Sequence, residues 1–452
     1  MKSKYITDGV AAIADAYTQF ETSLNGDADG PLGGLRREAF DRFRALGFPT
    51  TRHEEWRFTN IQPITRTTFR TAAAVTLSTD QVAAHLEDTW RGNAARLVFA
   101  NGEFRSELSS IDGLPDGVEL LTLAEALKRF PDEIVTHIAR YDDAEVSPFV
   151  HLNTAHLIDG VVLHVTKGTV VETPIHIVHV ATASDEPTVT YPRALVVVEE
   201  SAAVTLFEEF TSPEGTVSLC VPVTEVSVGD NARVRHVTAQ HQSTSGYHIA
   251  ASFVEVGRDA TYDAVALNFG ASIGRHDPSA RLGRQGSHVS LDGLLLVGEG
   301  QLLDSHTMID HAAANCTSHE LYKGIVKERG HGVFNGKIIV RPDAQKIDSK
   351  QSNVNLLLAD TATIDTKPQL EIFADDVKCT HGATIGRLDD PSIFYLRARG
   401  IDREAAVRML TFAFAAEVVE RIADESIRLY CMELLAERLE GEPVGERSIL
   451  AG

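Results

Sequence analysis

The sequence predicts a mainly β protein, with a long strand-rich core between an N-terminal α/β segment and a C-terminal helical one. Two observations predict it. From about residue 146 to 386, short runs rich in Val, Ile and Thr are broken by Gly, Asp and Pro, and helical periodicity almost disappears. Within that stretch several pieces resemble one another: SVGDNARVRH from Ser227, EVGRDATYDA from Glu255, LVGEGQLLDS from Leu296, IVRPDAQKID from Ile339, LLADTATIDT from Leu357 and IFADDVKCTH from Ile372. Each is an apolar strand end, a tight turn and a second strand. In a β-sandwich these would be antiparallel hairpins. In a parallel β-helix each turn would be a corner, and rungs would stack over one continuous core. The last two pieces start 18 and 15 residues after their predecessors. That spacing suits a short rung better than a hairpin pair, so the parallel β-helix is the preferred reading.

The elements divide the chain into an N-terminal α/β domain (1–145), the core (146–386) and a C-terminal helical domain (387–452). In the first, Ile6 to Leu24 has a weak helical period, Gly26 to Gly34 is a break, and Leu35 to Leu46 is a helix stopped by Gly47 and Pro49. Thr79 reads as the N-cap of a helix through Trp90. Arg96 to Ala100, then Asn101-Gly102, is a strand entering a turn, and Leu123 to Arg140 is a further helix. After the core, Pro391 to Arg399 is a short helix ended by Gly400. Asp402 then caps a helical stretch from Arg403 to about Glu440. Two apolar stripes share it, one through Phe412, Ala416, Val419 and Ile427, the other through Val407, Leu410, Phe414, Val418 and Ile422. No charge falls between Arg408 and Glu417, so this half must be buried on several sides. Packing on the chain's own core accounts for most of that. The sharper reading is a partner subunit docking on Val407, Leu410, Phe414 and Val418.

A chain of 452 residues implies two or three domains. Its net charge of −22 repels phosphate backbones and anionic lipid, which excludes nucleic acid or a membrane surface as the main partner. No apolar h-region follows Met1-Lys2-Ser3-Lys4-Tyr5, and no run approaches the ~20 apolar residues that span a bilayer, so the expected location is cytoplasmic.

A GxxxxGK[ST] phosphate loop is absent from the sequence, as is HExxH, so an ATPase or a zincin-type hydrolase is not expected. His176, His179, His306, His311, His319 and His331 lack a Cys or carboxylate at ligand spacing and read as structural or surface histidines. Of four scattered cysteines, Cys220 and Cys431 read as core residues and Cys316 is the candidate for exposure. Cys379 and His381 differ. Two apart on a strand, they project from one face with Cα atoms about 6.6–6.8 Å apart. Thiolate and imidazole both ligate iron, but a cluster usually needs four ligands, so a site here would need another chain to complete it. A buried Cys beside a hydrogen-bonded His is the plainer reading of that spacing.

The stretch from Gln351 to Glu420 bears on that choice. It contains Gln-Ser-Asn-Val-Asn-Leu-Leu-Leu-Ala-Asp from Gln351, Thr-Lys-Pro-Gln-Leu-Glu-Ile from Thr366, Asp-Asp-Val-Lys-Cys-Thr-His-Gly-Ala-Thr-Ile-Gly from Asp375, and Phe-Tyr-Leu-Arg-Ala-Arg-Gly-Ile from Phe394. It closely resembles the SufB/SufD family of iron–sulfur cluster assembly. His-Glu-Glu-Trp-Arg-Phe-Thr-Asn from His53 adds weaker support. His381-Gly-Ala-Thr384 is similar to the SufD branch. SufB typically has His-Glu-Ala-Thr-Thr there, and a Cys where this chain has Leu396. The resemblance implies a right-handed β-helix and a scaffold subunit that is not itself an enzyme. It implies pairing with SufB, docking of the ATPase SufC on the C-terminal helices, and a SufD-type homodimer when alone. It further implies a transient Fe–S cluster at the SufB interface, with His381 and Cys379 as candidate ligands, and reduced flavin (FADH2) in the assembled complex. A polysaccharide-active β-helix enzyme, a pure structural adaptor and a SufB-type paralogue are the competing readings.

Overall fold

In the computed structural model, the described residues are 13–14, 16–22, 24, 30–72, 78–140 and 147–440. Part of the Ile6–Leu24 helix and part of the Gly26–Gly34 break lie outside them. The core is a parallel β-solenoid in which the chain alternates between two sheets, leaving one corner for the other sheet and returning through a second. In one sheet Tyr247–Val256, Ile273–Leu282, Leu302–His311, His331–Val340 and Thr363–Ile372 stack in parallel register. In the other, Arg233–Gln240, Thr261–Asn268, His288–Val297, Thr317–Val326, Ile347–Leu357 and Val377–Gly386 do the same.

Register fixes the length of a turn. Tyr247 stacks on Ile273 and His331 on Thr363, so a full turn takes 26 to 32 residues. Spacings of 18 and 15 are therefore half-turns, and the short-rung interpretation of them is corrected. The repeats at Ser227, Glu255, Ile339 and Ile372 mark one corner, and those at Leu296 and Leu357 mark the other. A two-cornered rung produces such irregular gaps because either corner reads as the same strand–turn–strand phrase.

Strands from before residue 145 already belong to the solenoid, so the border with the N-terminal region is not sharp. Ala95–Ala100 pairs in parallel with Ile175–Val180, then turns through Asn101-Gly102 into the antiparallel strand Glu103–Phe104. Val118–Thr122 lies antiparallel on Val161–Val165. Phe99, Phe104 and Leu120 join the lumen cluster at this first end. The helix over 123–140 is two, Leu123–Arg129 and Pro131–His137, because a proline lacks the N–H that continuation needs. Ser78, rather than Thr79, accepts at the next helix start. Asp402 caps Arg403–Val419 as expected, and Glu425–Glu440 follows as a separate helix.

Alternation along each strand sends one set of side chains into the lumen and the other outward. Val234, Val256, Leu282, Leu291, Ile309, Phe334 and Ile338 fill the lumen. Outside, the two C-terminal helices lay Ala415, Val418, Val419, Ile427 and Cys431 over Phe207, Val237, Leu267 and Leu294. Lys323, buried, holds them through the Phe414 carbonyl at 2.8 Å and the Glu417 carboxylate. The N-terminal domain covers the other sheet. Arg275 stacks on Trp56 at 3.9 Å and pairs with Asp304, which also accepts from Thr59 at 2.6 Å. Glu55 pairs with His306, a hydrogen bond that lowers its carboxyl to about 2. The His53–Asn60 segment is thus the clamp between domain and solenoid.

The other five histidines of the six singled out in the sequence have protein partners. His176 meets Glu209, His311 meets Ser318, His331 meets Asp365, His319 lies against the His288 ring, and His179 stacks on Phe99 and Phe210. Cys220 and Cys431 are buried core residues. Cys316 is buried as well, beside Ser287 at 3.1 Å, because its turn folds back onto the corner of the preceding rung; the expected exposure is corrected.

Phe334, fully buried against Tyr322, tests whether the lumen is a packed core. Phe334→Ala should lower the unfolding free energy by about 3–5 kcal/mol, read as a fall in the urea midpoint. A loss below about 1 kcal/mol would mean that the lumen is loosely filled.

Candidate functional site at the open end of the solenoid

Parallel stacking leaves the last rung with no successor. Among the described residues, Thr363–Ile372 pairs only with His331–Val340, and Val377–Gly386 only with Ile347–Leu357. The outer edges of both strands therefore carry unpaired backbone donors and acceptors, which is the condition for adding a strand from another chain. Exposed Ile372, Phe373 and Ile385 rim this mouth.

Cys379 and His381 lie on Val377–Gly386, in register with Ser349 and Gln351. Both of those are buried, and Val377 and Cys379 pack against the lumen cluster, so the 377, 379 and 381 side chains face inward. Cys379 is half-buried and His381 exposed, where the lumen opens. The structure thus brings the two residues to one face of one terminal strand. Burial, with Asp348 nearby, pushes the Cys379 thiol up from its ordinary range. Among the described residues, no group of three or more His, Cys, Asp and Glu side chains could hold a metal.

Behind the pair, the inward side chains become polar. Under Cys379 run Ser349 and Ser318, 2.7 Å apart, with Ser318 on to His311 at 2.9 Å. Under His381 comes Gln351, whose Nε2 donates to Glu320 at 2.6 Å; Thr307 donates to the same carboxyl. Burial pushes the Glu320 carboxyl up to about 7. Gln351 Oε1 is buried and unpartnered, a cost of about 1–3 kcal/mol. Sequence reasoning missed these residues. The motif around Cys379 was legible, but the residues beneath it lie about 30 positions earlier, and only the register joins them.

The helical candidates divide. Val418 is fully buried on the chain's own sheet, which corrects its assignment as a partner contact; Val407, Leu410 and Phe414 are half-buried. Phe394 is 71% exposed, with Tyr395 and Met409 also exposed. Leu410 and Phe414 line a groove of about 300 Å³ with Val354, Leu356, Ile385 and Leu388, linking these helices to the mouth. Among the described residues lining the groove the one cation, Arg387, is paired to Asp360, and Asp389 caps a helix, so this lining offers a flavin pyrophosphate no unpaired cation.

Fold and site together define a parallel β-solenoid protein with a Cys–His donor pair on its terminal edge strand. The SUF system FeS cluster assembly SufBD core domain matches residues 179–414, and the SufBD protein N-terminal region matches residues 10–177. The chain belongs to the SufB/SufD family of iron–sulfur cluster assembly. It is 32% identical to a SufBD family protein of Synechocystis sp., across 90% of this chain and 91% of that one. It is 31% identical to SufD of Escherichia coli, across 87% and 90%. With SufB of Bacillus subtilis the figures are 27%, 70% and 67%, so the likeness leans to SufD. None of the helices is long and apolar enough to cross a membrane, among the described residues.

With Cys220, Cys316 and Cys431 buried, native protein should expose one reactive thiol to a disulfide reagent, and denatured protein four. Cys379→Ser should remove the native reaction. Because the thiol is raised, the rate should still climb above pH 9. Two reactive thiols in the native wild type, or a plateau near pH 8, would contradict this geometry.

Proposed function

We propose that this chain is a scaffold subunit of the SUF complex, without ATPase activity of its own. It pairs with SufB through the open end of the solenoid and docks SufC on the C-terminal helices. The nascent Fe–S cluster, cargo rather than resident cofactor, forms where the mouth meets SufB, with His381 and Cys379 as transient ligands. One observation carries this reading: a two-ligand donor pair stands on the inward face of an unpaired edge strand. Two ligands cannot hold a cluster, and an unpaired edge is where a second chain brings the rest.

The SufC dock is assigned to Phe394, Tyr395 and Met409, together with the half-buried Val407, Leu410 and Phe414. Deleting the whole helical domain would uncover Phe207, Val237 and Leu267 and confuse docking with folding. Point changes avoid that.

The test is co-expression with SufB and SufC, purification without oxygen, and iron and labile sulfide measured per complex. His381→Ala should leave the complex intact while lowering both at least threefold, with Cys379→Ala having a smaller or equal effect. Phe394→Asp with Tyr395→Asp should lose SufC but keep SufB. Unchanged loading in His381→Ala would make the chain a structural adaptor, and SufC retained by the double variant would move the dock elsewhere.

A further inference from the structure

We propose, resting on the reading above, that Gln351 is the positioning residue for His381: its buried Oε1 accepts the N–H of one imidazole nitrogen and leaves the other, unprotonated, facing the iron. Gln351 is the in-register neighbour of His381 on the adjacent strand, so the two side chains leave the same face about 4.8 Å apart. Its amide is anchored from behind. Nε2 donates to Glu320 at 2.6 Å, and Glu320 also takes a hydrogen bond from Thr307. The lumen is shaped for this side chain, since a Cβ on Gly336 opposite would come within 2.4 Å of Nε2.

With Nε2 committed, Oε1 is left as a buried acceptor without a donor. His381 is the in-register residue on the next strand, which among the described residues has a neighbour on one side only. In the open mouth its imidazole is exposed to water. Once another chain covers the mouth that water is lost, and Oε1 is the acceptor available to the ring. A neutral imidazole has one N–H and one lone pair, so whatever accepts the N–H decides which nitrogen can bind metal. Oxygen acceptors behind metal-bound histidines do this generally, and their loss typically weakens metal binding 10–100-fold.

The experiment uses the same anaerobic complexes, with Gln351→Met, Gln351→Asn and Gln351→Glu. Met keeps the shape without the oxygen. Asn keeps the amide but is one methylene too short, and carries the test should the Met variant fail to assemble. Glu keeps an oxygen acceptor in place. Positioning predicts iron and sulfide at least threefold below wild type for Met and Asn, and near wild type for Glu, with SufB and SufC still co-purifying. A packing role predicts the reverse order, because Met is the benign volume match and Glu sets a second carboxyl beside Glu320. Wild-type loading in Gln351→Met, or equal losses in the Met and Glu variants, would overturn the inference. Should His381→Ala lower loading while Gln351→Met does not, the inference alone fails; should His381→Ala have no effect, the site reading fails with it.

Discussion

Each strand of a parallel solenoid has its backbone satisfied by the rung before and the rung after, and the end rungs are the exception. Most of this molecule follows from how the two ends meet that constraint. At the first end the chain closes itself. Glu103–Phe104 and Val118–Thr122 run antiparallel onto the sheets, and Phe99, Phe104 and Leu120 plug the lumen. At the other end the chain leaves for the helices immediately after Gly386, and Thr363–Ile372 and Val377–Gly386 remain edges. An exposed edge is a hazard unless it is meant to be paired. Here it also carries the Cys–His pair, so pairing and chemistry fall at one place.

The lumen is part apolar and part polar. Val256, Leu282, Leu291 and Ile309 line its apolar side, while Glu208, Thr224, His236 and Ser252 are buried inward along the middle rungs. Its last rungs present Ser318, Glu320, Ser349, Gln351, Asn353 and Asn355 inward, all buried. Buried polar side chains are costly unless hydrogen-bonded, and most of these bond one another along the columns. Such columns trade stability for fixed orientation behind the terminal pair. The outer faces supply the compensating burial, with helices over one sheet and the Trp56–Arg275 clamp over the other.

Much of this was legible in sequence, for identifiable reasons. The solenoid showed because its corners repeat a strand–turn–strand phrase, yet the rung length was misread because opposite corners use the same phrase. The C-terminal helices showed as a doubly apolar stripe, but Val418 could not be told from Val407, since periodicity gives a face and not what covers it. Cys316 looked exposed because a turn is normally exposed, and only the fold tucks it under a neighbouring corner. The Cys379–His381 pair was legible as a two-residue spacing on a strand. Gln351 and Glu320 were not, because register across rungs has no local sequence signal. The exposed Phe394 and Tyr395 went unremarked as a surface, since a short helix of mixed residues has no strong period.

The central claim is that the open edge of the solenoid is the surface another chain completes. Amide hydrogen exchange across 363–372 and 377–386 tests it most directly, comparing the full chain alone with the chain bound to SufB. The account predicts fast exchange at the outward amides of both strands when alone and marked slowing when bound, with the middle rungs slow throughout. Exchange there unchanged by bound SufB, with new protection confined to other faces, would contradict it.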